Sequence, residues 1–241
     1  MTSATRRLIV NADDFGRSPG INRGIARGHE HGIVTSASLM VRWPDAPAAA
    51  AYARAHPELS VGLHLDLCEW TVEDAEWRPL YEVLADDAPA SVRVELERQL
   101  TSFERLVGRP PTHLDSHQHV HRPEPVRSTL IAAGERLAVP VREQTPGIAY
   151  LGDFYGQYGK GEPYPEGISR DHLIRLIRAL PPGTTELGCH PASEPELASS
   201  YAHERPLELA ALCDPLVAAA LAEERIELCS FAQLAAAHAR S

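Results

Sequence analysis

The sequence predicts an α/β fold built on a parallel sheet, and three observations point to it. Short apolar or β-branched runs recur along the chain, separated by longer segments with helical spacing. Residues able to do chemistry collect at the carboxyl ends of those runs, where parallel α/β folds place their active sites. The composition, 44% hydrophobic and 23% charged over 241 residues, is that of a globular protein able to bury a core. Periodicity alone leaves two architectures open, an open doubly wound sheet or a closed barrel.

Seven strands are expected: Leu8 to Ala12, Ile33 to Val41, Leu59 to Leu67, Thr112 to Ser116, Val139 to Arg142, Thr185 to Cys189 and Ile226 to Cys229. The first helix starts at Ser18-Pro19, an N-cap followed by proline at N1, and stops at Gly32. A second begins near Ser91 and carries Val92, Leu96, Leu100, Phe103 and Val107 at helical spacing until Gly108. The segments Cys68 to Pro89 and Gln144 to Gly167 read as long loops. The first holds Trp70 and Trp77 and the second four of the seven tyrosines, which would suit a sugar-binding rim. The length fits a single domain over residues 1–241.

A net charge of −10 without a basic patch argues against nucleic-acid binding. Cys68, Cys189, Cys213 and Cys229 are far apart with no C-x-x-C pair, which fits a reducing, cytoplasmic setting. The start MTSATRRLIVNADD lacks the apolar region of a signal peptide, and no stretch approaches the length of a membrane span. The expected partner is a small molecule, with no nucleic acid and no membrane; a homodimer is left open.

Candidate site residues lie at strand ends. Asn11-Ala12-Asp13-Asp14 closes the first strand, and two adjacent acids there are costly unless one faces a cation and the other is tuned for proton transfer. In Val61 to Leu67 the leucines and valine share one face, and His64 and Asp66 the other. From His113 to His121 every odd position is His or Asp. An extended chain would point His113, Asp115, His117, His119 and His121 the same way, whereas a helical one would bring His117 and His121 together. Either arrangement reads as a metal site, with His119 or His121 as further candidates. Arg142 can neutralise or orient an acid, or make an ordinary salt bridge, and His190 can donate a proton. One carboxylate and two imidazoles suit a divalent ion that activates water for attack on a carbonyl.

The segments NADDFGRSPGINRGI, GIVTSASLMV, VGLHLDL, PTHLDSHQHVH and CHP, in this order and nearly spanning the chain, resemble the YdjC/ChbG family of carbohydrate deacetylases. The resemblance implies a distorted barrel of seven parallel strands related to polysaccharide deacetylases. It also implies removal of N-acetyl groups from amino sugars such as chitooligosaccharides, with one divalent ion, magnesium or zinc. Residue by residue it implies Asp13 as catalytic base, Asp14, His64 and His117 as metal ligands, His190 as acid, and Arg142 holding the base. Gln118 stands where some members carry another histidine. Two alternatives are another barrel metallohydrolase of the amidohydrolase type, and a non-catalytic sugar- or metal-binding protein on the same scaffold.

Overall fold

The computed structural model describes residues 5–73, 76–195 and 199–238. Met1 to Ala4 of the N-terminal stretch, and two residues of the segment Cys68 to Pro89, lie outside that description. The order of elements is β1 (Arg6–Phe15), α1 (Pro19–His31), β2 (Ser36–Leu39), α2 (Ala46–Ala55), β3 (Ser60–Leu65), β4 (Cys68–Glu73), β5 (Glu76–Glu82), α3 (Pro89–Val107) and β6 (Leu114–Ser116). There follow α4 (Val126–Leu137), β7 (Ile148–Leu151), α5 (Arg170–Arg178), β8 (Gly183–Cys189), α6 (Arg205–Leu212), α7 (Pro215–Glu223), β9 (Ile226–Leu228) and α8 (Phe231–His238).

Seven strands form one sheet in the order β6-β3-β2-β1-β8-β7, with β9 on β1, and every pairing is parallel. Beyond β6 the curl continues through one parallel bridge between Leu114 and Val141. The sheet therefore curls into a half-barrel of the distorted parallel (β/α) type, with Val141 adding a single bridge at its β6 edge. Leu8, Val10 and Ala12 of β1 face outward into the main core with α1 and α2, while Ile9 faces inward onto Cys229, Phe231 and Leu234, so α8 plugs the barrel floor. Above that floor the interior turns polar: Asn11, Ser38, His64, Asp115 and Glu186 are all buried.

Six of the seven expected strands are present. The fifth, Val139 to Arg142, is not a strand. Leu114 N donates to Pro140 O and Arg142 N donates to Leu114 O, but Pro140 has no N–H to extend the ladder and Glu143 turns the chain at φ 62°. The bridge is long enough to aim Arg142 into the barrel. The seventh sheet strand is instead β7, inside the segment expected to be a loop; its short IAYL run has no apolar–polar alternation to mark it. Cys68 to Pro89 likewise holds an antiparallel hairpin, β4 with β5, outside the main sheet. Ser18 Oγ caps α1 by accepting from Ile21 N, and α3, which starts at Pro89, two residues before Ser91, buries Val92, Leu96, Leu100, Phe103 and Val107 as its spacing predicts. All four cysteines are free, and among the described residues no helix is long and apolar enough to cross a membrane.

One close approach fixes the barrel mouth. A Cβ at Gly24 of α1 would lie 2.4 Å from Ala192 Cα, so only glycine lets the chain leaving β8 through His190 and Pro191 rest on α1. The obstacle is backbone, which cannot swing aside. Gly24→Ala is expected to cost about 1–3 kcal/mol. That corresponds to a melting temperature lower by about 2–4 °C per kcal/mol, checked by thermal unfolding.

Candidate active site and metal centre

A cavity of about 630 Å³ opens at the carboxyl ends of the strands, lined among others by Asp13, Asp14, His64, His117 and His190. Adjacent residues of a regular strand point to opposite faces. Here the β1–β2 register shifts between Ala12 and Phe15, and Asp14 takes a left-handed φ of 67°. This bulge brings both acids into the same cavity.

Asp14, His64 and His117 form a buried trio. Asp14 Oδ1 stands 3.0 Å from His117 Nδ1 and 3.5 Å from His64 Nε2. Donor atoms about 2.0–2.1 Å from a common cation stand roughly 3.0–3.4 Å apart, so the spacing fits a divalent ion. Asp14 Oδ1 is sealed from solvent with no hydrogen bond aligned on it, which strengthens the fit. Burial disfavours the His117 imidazolium, but Asp14 and Glu69 outweigh it and push the ring up to about 9. A carboxylate pair that attracts a proton so strongly would also attract a metal cation. Asp14 itself is held well below the usual carboxylate range, since Arg205, His117 and Arg17 outweigh its burial.

Each ligand candidate is oriented from behind. His64 Nδ1 lies 2.8 Å from Asp115 Oδ1, which turns Nε2 toward Asp14. Asp115 Oδ2 accepts from Ser38 Oγ at 2.6 Å and pairs with Arg142 at 2.8 Å. Glu69 on β4 lies 3.7 Å from His117 Nε2, and both of its oxygens accept from Arg17 Nη2, at 2.6 and 2.7 Å. Arg205 of α6 pairs with Asp14 Oδ2, leaving Oδ1 to the imidazoles.

Asp13 sits beside the trio with a different partner. Arg142 donates to both of its oxygens at 2.7 Å, and to Glu186 through Nε at 2.7 Å. Burial raises the Asp13 carboxyl, yet Arg142 and His64 outweigh it and keep it below its ordinary value. Deeper in the barrel burial wins, and Glu186 is pushed up to about 7. His190 Nε2 lies 3.8 Å from Asp13 Oδ2, and its Nδ1 faces the buried Glu208 of α6 at 3.7 Å. Glu208 also accepts from His190 N and from Tyr201 Oη at 2.5 Å, which fixes the loop carrying the imidazole.

Five of the six residues singled out in the sequence, Asp13, Asp14, His64, His117 and His190, line one cavity, and Arg142 is buried behind Asp13, but the row of odd positions does not act as one face. The chain is extended only through β6 and makes no α-helical turn after it. After β6 a 3-10 turn spans His117–His119, and Gln118 and His119 take φ of 48° and 55°. His113 remains in the barrel interior, stacked 3.9 Å from the Phe231 ring, with burial pushing it down to about 4. Asp115 stands behind His64, His117 meets Asp14, and His119 and His121 turn away toward Glu143. A further grouping, Asp13, His64 and Asp115, shares His64 with the trio, and its carboxylates are committed to Arg142. Asp66, expected on the same face as His64, lies beyond the end of β3 and anchors Arg42, Trp43 and Tyr81. Arg17, Glu69, Arg205 and Glu208 were not legible in the sequence. Only Arg17 lies within one of the quoted segments, three residues after Asp14.

The chain is similar to known proteins over most of its length. The profile of the YdjC-like protein family matches residues 7–223. A carbohydrate deacetylase of Geobacillus stearothermophilus is 37% identical, covering 94% of this chain and 97% of its own length. A chitooligosaccharide deacetylase of Serratia marcescens is 35% identical, covering 94% and 98%. A crystal structure from Enterococcus faecalis, provisionally described as a cellobiose-phosphate cleavage protein, superposes with a TM-score of 0.75 at 25% identity over 96% of this chain and 99% of that one. A family 4 carbohydrate esterase from Streptomyces lividans shares the fold, with a TM-score of 0.58 at 14% identity over 95% and 93%. Matched over most of its length by profile and by relatives alike, the chain belongs to the YdjC-like protein family.

Proposed function

We propose that the chain is a single catalytic domain that hydrolyses the N-acetyl group of an acetylated amino sugar or short oligosaccharide, using one divalent ion, magnesium or zinc, held by Asp14, His64 and His117. The observation that carries the reading is the convergence of the buried Asp14 Oδ1 with the His117 and His64 ring nitrogens at 3.0 and 3.5 Å, with a separately held carboxylate, Asp13, beside it. When bound, such an ion polarises the amide carbonyl and lowers the pKa of a water toward about 7. Asp13 would serve as the base, taking a proton from the water that adds to the carbonyl carbon. Arg142 keeps Asp13 ionised and fixed before the transfer. His190 gives a proton to the leaving nitrogen as the C–N bond breaks, so acetate and a free amine result. The two imidazoles and one carboxylate favour zinc over magnesium, which prefers more oxygen ligands. An amidohydrolase reading is disfavoured because β1 ends in Asp-Asp rather than His-x-His. A binding-only role leaves the paired Asp13–Arg142 without a task.

The decisive experiment measures acetate release from acetylated mono- and oligosaccharides by metal-loaded and chelator-treated protein, with metal content determined on the same samples. Metal-dependent acetate release is expected, and His117→Ala should lose most of the metal. A His117→Ala protein with full occupancy would remove the trio as the ligand set.

The walls of the cavity give the specificity prediction. Trp70 and Trp77 of the hairpin and Tyr155 and Tyr158 line it, and Trp77 is 52% and Tyr158 57% exposed. Aromatic faces can cover the apolar C–H surface of a sugar ring. Trp77→Ala and Tyr158→Ala are expected to reorder a panel of acetylated sugars by KM more than by kcat. An unchanged ranking would place specificity elsewhere.

A further inference from the structure

We propose that His119, His121 and Glu143 form a second, weaker divalent-ion site on the cavity wall, suited to a borderline ion such as zinc or cobalt. Its residues are all distinct from the Asp14, His64 and His117 group, and the proposal stands whether or not that group is catalytic. His121 Nε2 lies 3.3 Å and His119 Nδ1 4.0 Å from the same atom, Glu143 Oε2. The three ligand atoms lie within 4.8 Å of one another, so a small contraction reaches the roughly 3.4 Å separation of a tetrahedral site.

The two imidazoles are prepared for different reasons. His119 Nδ1 is shut off from solvent and has no hydrogen-bond partner, an unusual state for a buried ring nitrogen. His121 is buried, and its other nitrogen, Nδ1, lies 2.7 Å from Ser116 Oγ, which fixes the ring with Nε2 toward Glu143. Metal-binding histidines are commonly held in this way through the nitrogen that does not bind. The convergence also depends on backbone that only glycine adopts freely: Gln118, His119 and Glu143 have φ of 48°, 55° and 62°. Strain of this kind tends to persist where it serves a site. Two nitrogens and one oxygen select zinc, cobalt or nickel over magnesium and calcium.

One cation already competes for the carboxylate. Arg122 donates to Glu143 at 2.8 and 3.0 Å, but its side chain is 52% exposed, and exposed ion pairs contribute little. An incoming ion would displace or share this fork, so the second site should be the weaker one. Because His119 and Arg122 both line the cavity, filling the site would also free a guanidinium there.

Cobalt(II) alone, titrated into metal-free full-length protein, tests the proposal through its visible absorption and through equilibrium dialysis. Two equivalents are expected, the second weaker and with its own absorption bands. His119→Ala and Glu143→Gln should each remove the second equivalent and leave the first, whereas His117→Ala should deplete the first and leave the second. Arg122→Ala should tighten the second by roughly two- to fivefold, the equilibrium equivalent of an exposed ion pair. A single equivalent in both the wild type and Arg122→Ala, or a second equivalent indifferent to His119 and Glu143, overturns the proposal.

Discussion

Replacing Asp13 by asparagine is expected to lower turnover by about 10²–10⁴ while metal content stays at the wild-type level, the usual worth of a general base. The change is nearly isosteric, and Arg142 keeps its bonds to Asp115 and Glu186, so the fold should survive. Asp14→Asn should behave differently. It replaces an anionic donor by a neutral one, so metal affinity and activity should fall together, with partial recovery in excess metal. Metal content and acetate release measured on the same preparations separate the two adjacent acids. A metal-loaded, fully active Asp13→Asn protein would take Asp13 out of the mechanism.

The largest effect on stability is expected at Arg142. Its guanidinium is buried among Asp13, Asp115 and Glu186, with every N–O distance between 2.7 and 2.8 Å. Arg142→Gln leaves those carboxylates without their cation, and breaking a buried pair of this kind costs about 3–5 kcal/mol near neutral pH. The pH dependence follows from the direction of each shift. Arg142 and His64 outweigh burial to depress Asp13 and Asp115, so that stabilisation is present above the ordinary Asp value of 3.8 and is lost as pH falls through the folded values. The deficit of Arg142→Gln should therefore be largest at neutral pH and shrink on acidification. Urea midpoints across the acid range measure it; a deficit that grows toward low pH would contradict the assignment.

Glu186 contributes with the opposite sign. Burial outweighs Arg142 and raises it from 4.5 to about 7, so its contribution is complete below 4.5 and is lost as pH rises through about 7. Glu186→Gln should flatten the fall in stability between these values.

Local pattern was enough to determine much of this protein. The apolar runs marked six of the seven strands of the sheet, the Ser18-Pro19 cap and the Val92 to Val107 spacing marked two helices, and the polar residues at strand ends marked the site. These features were legible because strand period, helix period and cap chemistry are properties of a few neighbouring residues. The YdjC-like resemblance rested on the same short segments.

Tertiary structure decided what those neighbours could not. A two-residue period places Asp13 and Asp14 on opposite faces; only the bulge against β2, with Asp14 left-handed, puts both in one cavity. The row from His113 to His121 looked like one ligand face, but the left-handed turns at Gln118 and His119 distribute it between the barrel interior, the Asp14 trio and Glu143. Val139 to Arg142 had the composition of a strand, yet Pro140 and the turn at Glu143 leave it one bridge, which is enough to aim Arg142. The partners that set the charges, Arg205 on Asp14, Glu69 at His117 and Glu208 at His190, come from distant parts of the chain or from elements outside the sheet. Their role depends on burial and on distances of a few ångströms, because a charge loses most of its influence in water and keeps it where solvent is excluded. No local periodicity encodes that proximity.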